Sequence, residues 1–558
     1  MHVAARARGP RWPVSDAAWR AFGALAALTL CGALAAPTTV PGVGERLYRE
    51  GRLASGEPLR GDRPGAQPLL GHDAACVQCH RRSGLGMVEG GIVIPPIAGR
   101  FLLSPVKRIS PDSPAYSDAT HPPAMAPDRG AYDESTLARA IREGVGANGR
   151  QLGYLMPRFD LDDASMRELI TYLRRLSSGR VPGVIDSTLH FATIVTPDAD
   201  SVARDGMLNV LQDYFAINNE SFHASRAAPT PSGRMLLLHP QWALHVWQLT
   251  GSPDTWEAQL DQHLRSEPVF AVLSGLGGAN WEPVHRFCER QSVPCLLPNV
   301  DLPVVAPDDF YPLYFSEGVL LEARLIAARV AQPGPQDVGK ARIVQVFREK
   351  DIGASAAARL REALSGRIEC LDRALGPDVG PRDLARALSK PRRGDILVLW
   401  LRAEDLKELP APPEGVAAVY VSGTMGGLEH APLAPAWRAV ARLTYPYELP
   451  EARSGRLNYA FGWFHFYKIP VVAERVQVDT YIACTVLSQA LTLMMGEFER
   501  DYLLERIEGS LESRLVNGYY PRLGLGPGQR FASKGGYLVR FVEPSGVRVA
   551  ADGDWTAP

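Results

Sequence analysis

Long apolar runs, charge of one sign and cysteine are all scarce in this 558-residue chain, and each shortage excludes something. Lys and Arg total 60 against 61 Asp and Glu, for a formal net charge of −1, and no basic tract occurs, so no nucleic-acid partner is expected. Beyond the N-terminus no segment has the ~20 apolar residues that a membrane span needs. There is no Gly-rich phosphate loop and no Ser/His/Asp spacing that would build a triad. Hydrophobic content of 46% and charged content of 22% are those of an ordinary globular protein, and the length implies several folding units. With only seven cysteines and twelve histidines, any pattern combining the two is informative.

Such a pattern is present at Cys76-Val77-Gln78-Cys79-His80. Two thiols at this spacing can each form a thioether to a haem vinyl group, with the adjacent imidazole beneath the iron as its axial ligand. The alternatives are a zinc half-site or a disulfide across the pair, but no second Cys/His pair follows at zinc-site spacing. One covalent haem c is therefore expected, attached through Cys76 and Cys79 and ligated by His80. A single motif also excludes a dihaem peroxidase, which needs a second site.

Arg6, Arg8, Arg11 and Arg20 precede an apolar run from Ala21 to Leu34, with Ala33-Leu34-Ala35 as a small-x-small cleavage signal. Residues 1–35 read as a secretory signal peptide, so the mature protein is expected in the periplasm. An uncleaved signal anchoring the chain to the inner membrane is the alternative. A lipoprotein reading through Cys31 is disfavoured by the bulky Leu30 before it.

Helices are predicted over Gly44–Gly51, over Asp133–Glu143 with Gly144 as its stop, and after a cap at Asp162 or Asp163. In the last of these Met166, Leu169, Ile170, Leu173 and Leu176 recur at helical spacing and would bury against the first helix. Met156, in the loop Tyr154-Leu155-Met156-Pro157 before that helix, is the candidate for the second axial ligand; Met87, Met125, His72 and His121 compete, and Met156 as a packing residue is the plain alternative.

Leu47-Tyr48, Cys76-x-x-Cys79-His80, Pro96-Ile97-Ala98-Gly99, Met156-Pro157 and the Leu169–Leu176 helix, in this order, resemble a class I c-type cytochrome over residues 43–178. The resemblance implies an all-α domain and a proline carbonyl bonded to the proximal imidazole, for which Pro96 is the candidate and Pro95 the alternative. The 76 positions between His80 and Met156 exceed the spacing of the smallest members, the excess lying around Pro105–Asp128.

Residues 179–187 read as a linker. Beyond them short apolar runs alternate with amphipathic helices. Strands are predicted at 190–195, 235–238, 269–273, 295–297, 343–347, 396–401 and 416–421. Helices are predicted at 203–215, 255–264, 281–290, 316–330, 354–364 and 479–495. This alternation argues for two α/β lobes built on parallel sheets. Cys288 and Cys295, seven apart at a helix end and a strand start, suit a disulfide in an oxidising compartment, while Cys370 and Cys484 read as buried lone cysteines.

Asp205-Gly206, Ile217-Asn218-Asn219, Val272-Leu273-Ser274-Gly275, Val293-Pro294-Cys295 and Tyr314-Phe315-Ser316 resemble the type I periplasmic binding proteins of branched-chain amino-acid ABC transporters, over residues 188–545, leaving 546–558 as a tail. That resemblance implies a small-molecule ligand in the inter-lobe cleft, with Ser274, Gly275, Tyr314 and Ser422 as contacts, and an ABC permease as a partner; a simple cap or turn is the competing reading of each residue. Glu220-Ser221 and Thr196-Pro197-Asp198 depart from the usual ligand loops, so an amino acid is not secured.

The leading function is an electron carrier serving a periplasmic redox partner, with the lobes as a docking or sensing module, by analogy to systems around quinoprotein dehydrogenases. The alternative is a transporter-type solute-binding protein with a redox-regulatory haem. A catalytic role would need an open iron position.

Overall fold

Gly44 lies so close to a second helix that a Cβ there would stand 2.2 Å from the Glu168 carbonyl oxygen. This contact joins α1 (Val43–Glu50) to α4 (Asp163–Arg175), and beside it the rings of Tyr48 and Tyr172 lie 5.3 Å apart. The structure is a computed structural model that describes residues 41–89, 92–106, 128–226, 240–332, 342–377, 380–511 and 518–558. Met166, Leu169, Ile170, Leu173 and Leu176 are all buried, each worth roughly 2 kcal/mol of apolar transfer. Asp162 caps α4 by accepting from the Ser165 N–H at 2.6 Å. Helix α3 (Glu134–Glu143) starts with a reciprocal Asp133/Thr136 cap and ends at Gly144. The turn α2 (Val77–His80) carries the cysteine–histidine motif. To these helices the structure adds short strands, Arg60–Asp62 between Leu69–Leu70 and Arg158–Phe159, and a Met87–Glu89/Ile92–Ile94 hairpin.

The next residues are stitched into the following sheet. Val184–Ile185 pairs with Thr188–Leu189, and Gly183, at φ +81°, lies where a Cβ would be 2.0 Å from the Phe270 nitrogen.

The first lobe has β1 (Thr188–Val195) flanked by β2 (Gln241–Gln248) and β3 (Ala271–Leu273), followed by β4 (Cys295–Leu296) and β5 (Pro312–Leu313), all parallel. The second has β6 (Ile343–Arg348) between β7 (Cys370–Leu375) and β8 (Ile396–Trp400). Then come parallel β9 (Ala418–Val421) and β10 (Ala441–Tyr445), with β11 (Tyr537–Phe541) and β12 (Val549–Ala551) antiparallel at the edge. The two-lobed α/β class is as the alternation implies. The expected strand at 235–238 lies outside the described residues; the next described strand is β2, which begins at Gln241. Cys484 is buried, whereas Cys370, on the edge strand β7, is partly exposed.

Helices α5 (Ser201–Arg226), α6 (Trp256–Ser266) and α7 (Glu282–Arg290) belong to the first lobe, and α8 (Val319–Ala331) and α9 (Ile352–Leu364) pack together in the second. After β10 the chain enters α10 (Pro450–Phe466) and α11 (Glu474–Met494), and α11 packs on α5 of the first lobe. Helix α12 (Arg500–Leu511) packs on α11, and Phe531 bridges to Tyr314 before the chain returns to β11. Three crossings thus join the lobes, at the β5–α8, α10–α11 and 531–537 segments. Residues Val43–Pro558 make one compact unit.

Candidate functional site

The Cys76–His80 turn sets its imidazole inward. His80 is 6% exposed, and its Nδ1 lies 3.1 Å from the Pro95 carbonyl oxygen. Burial pushes this imidazole down to about 4, against the opposing pull of the Pro95 carbonyl, so the ring is neutral at physiological pH. A neutral ring that donates Nδ1–H to a carbonyl presents its Nε2 lone pair, the form that ligates a metal. The carbonyl belongs to Pro95, which corrects the assignment to Pro96. Two adjacent prolines look alike in sequence, and the hairpin ending at Ile94 fixes which oxygen faces the ring.

Cys76 is partly buried, with burial pushing its thiol up to about 12, and Cys79 is exposed. Cys76, Val77 and Met156 pack against one apolar core that includes Leu47, Leu137 and Leu169. The Met156 loop is held by Arg158, whose guanidinium donates to the Met156 and Leu152 carbonyls, and the Met156 N–H donates to the Gly153 carbonyl at 3.1 Å. Tyr154 and Leu155 beside it leave apolar surface exposed. Of the competing ligands, His72 is an exposed side chain bonded to Gln78, Met87 lies in the hairpin, and Met125 and His121 lie outside the described residues. Paired thiols, a neutral buried imidazole held by a carbonyl and an apolar surround fit covalent haem. Cys76 and Cys79 would attach it and His80 would hold its iron.

Residues 70–177 are a cytochrome c domain. Such a domain carries covalent haem c and transfers electrons. No curated protein matches the chain in sequence. Among solved structures the chain is similar to a fatty acid ABC transporter substrate-binding protein from Thermomonospora curvata, at 14% identity, covering 68% of this chain and 95% of that one with a TM-score of 0.46. It is also similar to a branched-chain amino acid ABC transporter protein from Thermus thermophilus with bound valine, at 10% identity, 66% and 97% coverage and a TM-score of 0.47. A solute-binding protein from R. palustris in complex with benzoate matches at 15% identity, 66% and 97% coverage and a TM-score of 0.45.

The cytochrome c domain is fixed to α12 by a seam that sequence reasoning missed. Arg81 pairs with Glu508, which also pairs with Arg530, and Arg100 pairs with Glu497 and Glu499. Arg82 lies over the Phe310 ring at 4.5 Å and 3.4 Å from Asp501. Glu505, 8% exposed, receives two hydrogen bonds from Ser83, and burial pushes its carboxyl up to about 8. The available signal was the acidic series Glu497, Glu499, Asp501, Glu505 and Glu508, opposite Arg81, Arg82 and Arg100.

In the lobes, the expected ligand contacts are engaged internally. The Ser274 hydroxyl lies 3.1 Å from Thr480 Oγ1 and accepts from Asn299 Nδ2 at 3.1 Å, and Gly275 sits against the Trp281 ring. Ser422 donates to Glu322 at 2.5 Å and caps the turn at Met425. Tyr314 bonds His285 at 2.7 Å, and His285 in turn meets Asp309 at 2.6 Å. Of the four, only Tyr314 borders either of two cavities near the crossings. The larger, about 310 Å³, is walled by residues including Thr424, Glu429, His430, Tyr447, Glu474 and Arg475; the smaller, about 10 Å³, shares Arg475. Cys288 and Cys295 are bonded to each other, tying α7 to β4. Among the described residues no group of three or more His, Cys, Asp or Glu side chains could hold a metal ion, and no helix is long and apolar enough to cross a membrane.

Proposed function

We propose that this chain is a periplasmic electron carrier with one haem c, attached at Cys76 and Cys79 and ligated by His80 and Met156, exchanging electrons with a redox partner protein. Its cytochrome unit spans residues 43–178 and its binding-protein-like region 188–545, the chain being exported by its N-terminal signal. The observation that carries this reading is the buried, neutral His80 held through Nδ1 by the Pro95 carbonyl. In a c-type site a thioether opposite imidazole fills the sixth position and favours the ferrous state, which suits electron transfer over oxygen chemistry. The two lobes act as a solute-binding module, supported by the 310 Å³ cavity at their crossings. A quinoprotein dehydrogenase system is a fitting source of electrons, since its oxidations take place in the same compartment.

The second reading, a transporter-type binding protein whose haem reports redox state, is favoured by one observation: Ser83, three positions beyond His80, is bonded to the lobe helix α12 through Glu505.

Native mass spectrometry of protein matured with haem, together with a potentiometric titration, tests the proposal. One covalent haem, a reversible one-electron wave and a ferrous form that does not bind carbon monoxide are expected. A chain without covalent haem, or an open ferrous site, overturns it. A potential that shifts when a solute binds would favour the second reading.

A further inference from the structure

Asp479 and Asn299 border the smaller cavity, and both carboxylate oxygens of Asp479 and the amide oxygen of Asn299 are buried without a hydrogen-bond partner among the described residues. Asp479 is 1% exposed and Asn299 4% exposed. The orientation of Asn299 is set by a relay of hydroxyls. Thr480 donates to the Val476 carbonyl at 2.7 Å, so its oxygen accepts from Ser274, and Ser274 in turn accepts from Asn299 Nδ2. The amide nitrogen is thereby committed to the relay, leaving the oxygen for the cavity.

Nearby donors stop short of these oxygens. Arg475 gives Nη2 to Asp301 at 3.1 Å and reaches Asp479 only at 3.8 Å, beyond a hydrogen bond. Tyr314 is engaged with His285. Charge points the same way. Around the two cavities stand Asp301, Asp479, Glu429 and Glu474 against Arg453 and Arg475. Glu429 is matched by Arg453, Arg475 serves Asp301 and, at 3.8 Å, Asp479, and among the described residues Glu474 accepts only from the Tyr519 hydroxyl. Two acids remain without a cation of their own at hydrogen-bond distance.

A buried carboxylate with neither oxygen bonded is costly, and a cationic group carrying several N–H donors would offset that cost. The cavity, about 10 Å³, admits a group about the size of one water. Of the rings that line the two cavities, Tyr519 carries Arg453 at 4.8 Å and Tyr447 carries Arg475 at 5.9 Å, while Tyr520 borders the smaller cavity.

We propose that this cavity seats the ammonium group of a primary amine, with Asp479 and Asn299 as its acceptors and the amine's organic remainder in the 310 Å³ cavity across Arg475. This rests on the reading of the lobes as a solute-binding module. Two sources share the chemistry, free ammonium ion and the head of an organic amine. The positively charged groups in the walls are matched by their own acids, so a carboxylate solute finds no partner there.

Titration calorimetry on the haem-loaded full chain at pH 8 tests this with ammonium chloride, propylamine, 1,4-diaminobutane, trimethylpropylammonium, propionate and sodium chloride. Primary amines are expected to bind at least tenfold more tightly than the trimethylated one, which has no N–H groups and exceeds the cavity. Asp479→Asn should weaken them at least tenfold while leaving the haem spectrum unchanged. Ammonium binding as tightly as propylamine identifies the free ion as the guest. Equal binding of the trimethylated amine, equal binding of sodium, or no loss in Asp479→Asn overturns the inference. The comparison of amines on the unmutated chain stands by itself should Asp479→Asn fold poorly. Propionate binding in place of amines overturns the amine assignment and leaves the solute-binding reading intact, whereas no response to any solute, with none retained in the native mass spectrum, removes both.

Discussion

Ser83 gives both its main-chain N–H and its hydroxyl to Glu505, at 2.8 and 2.5 Å. The residue lies three positions beyond His80, so the haem-binding turn and the lobe helix α12 meet through one carboxyl group. Burial holds that carboxyl up at about 8, against 4.5 in the open chain. A carboxyl raised by folding contributes stability fully below its unfolded value and loses it as pH rises through the folded value. Thermal stability, followed through the haem absorbance, is expected to fall between about pH 4.5 and 8. In Glu505→Gln the fall should be shallower; an unchanged slope would count against this role.

On the proposed ligation by His80 and Met156, Met156→Ala should open the sixth iron position. The ferrous form is then expected to bind carbon monoxide, and the midpoint potential to drop, because the thioether that favours ferrous iron is gone. A wild-type spectrum and potential in this variant would send the search for the ligand to Met87 and His72.

Gly44→Ala places a methyl group against the Glu168 carbonyl, where neither helix backbone can yield cheaply. A loss of about 2–3 kcal/mol is expected from this overpacking, read as a lower urea midpoint. A change below about 0.5 kcal/mol would mean that α1 and α4 can separate at little cost.

Removing the disulfide by Cys288→Ser with Cys295→Ser frees a short loop, for which chain entropy gives about 2.5 kcal/mol. Denaturant unfolding should report that loss, with the haem spectrum unchanged.

Asp479→Asn should stabilise the chain at pH 8 and have little effect near pH 4. Burial pushes the Asp479 carboxyl up to about 7, opposed by Arg475 on its own helix and assisted by Asp301; Tyr447 and Tyr520 face it from other segments. Its ionisation therefore costs folding energy as pH rises from about 4 to 7, on the order of 1–3 kcal/mol. Equal stability of both forms across that range would show that the carboxylate is satisfied. Amine affinity should rise through the same interval, read by calorimetry at pH 6 and 8.

The haem site was legible because its chemistry needs five contiguous residues, and α4 because one apolar stripe repeats along it. The choice between Pro95 and Pro96 was not, since only the path of the chain after Ile94 decides which carbonyl meets His80. Ser274 and Ser422 read as ligand groups for a similar reason. A hydroxyl at a strand end looks the same whether it meets a solute or, as here, Thr480 and Glu322, which are far away in sequence. The acids from Glu497 to Glu508 carry no sign of their partners in the sequence, because the arginines of the haem domain that meet them lie some four hundred residues earlier. Strand β2 escaped notice because His245 interrupts its apolar pattern to meet His190 on β1 at 3.0 Å.

Detaching the haem domain from α12 would strip partners from Arg81, Arg100 and Glu505, and breaking even one buried pair costs about 3–5 kcal/mol. A carrier on a loose tether finds its partners by swinging. The haem domain here has no such freedom, because it is held against the lobes by these pairs. Any partner that reaches the edge of the haem domain must then also fit the surface that the lobes present beside it.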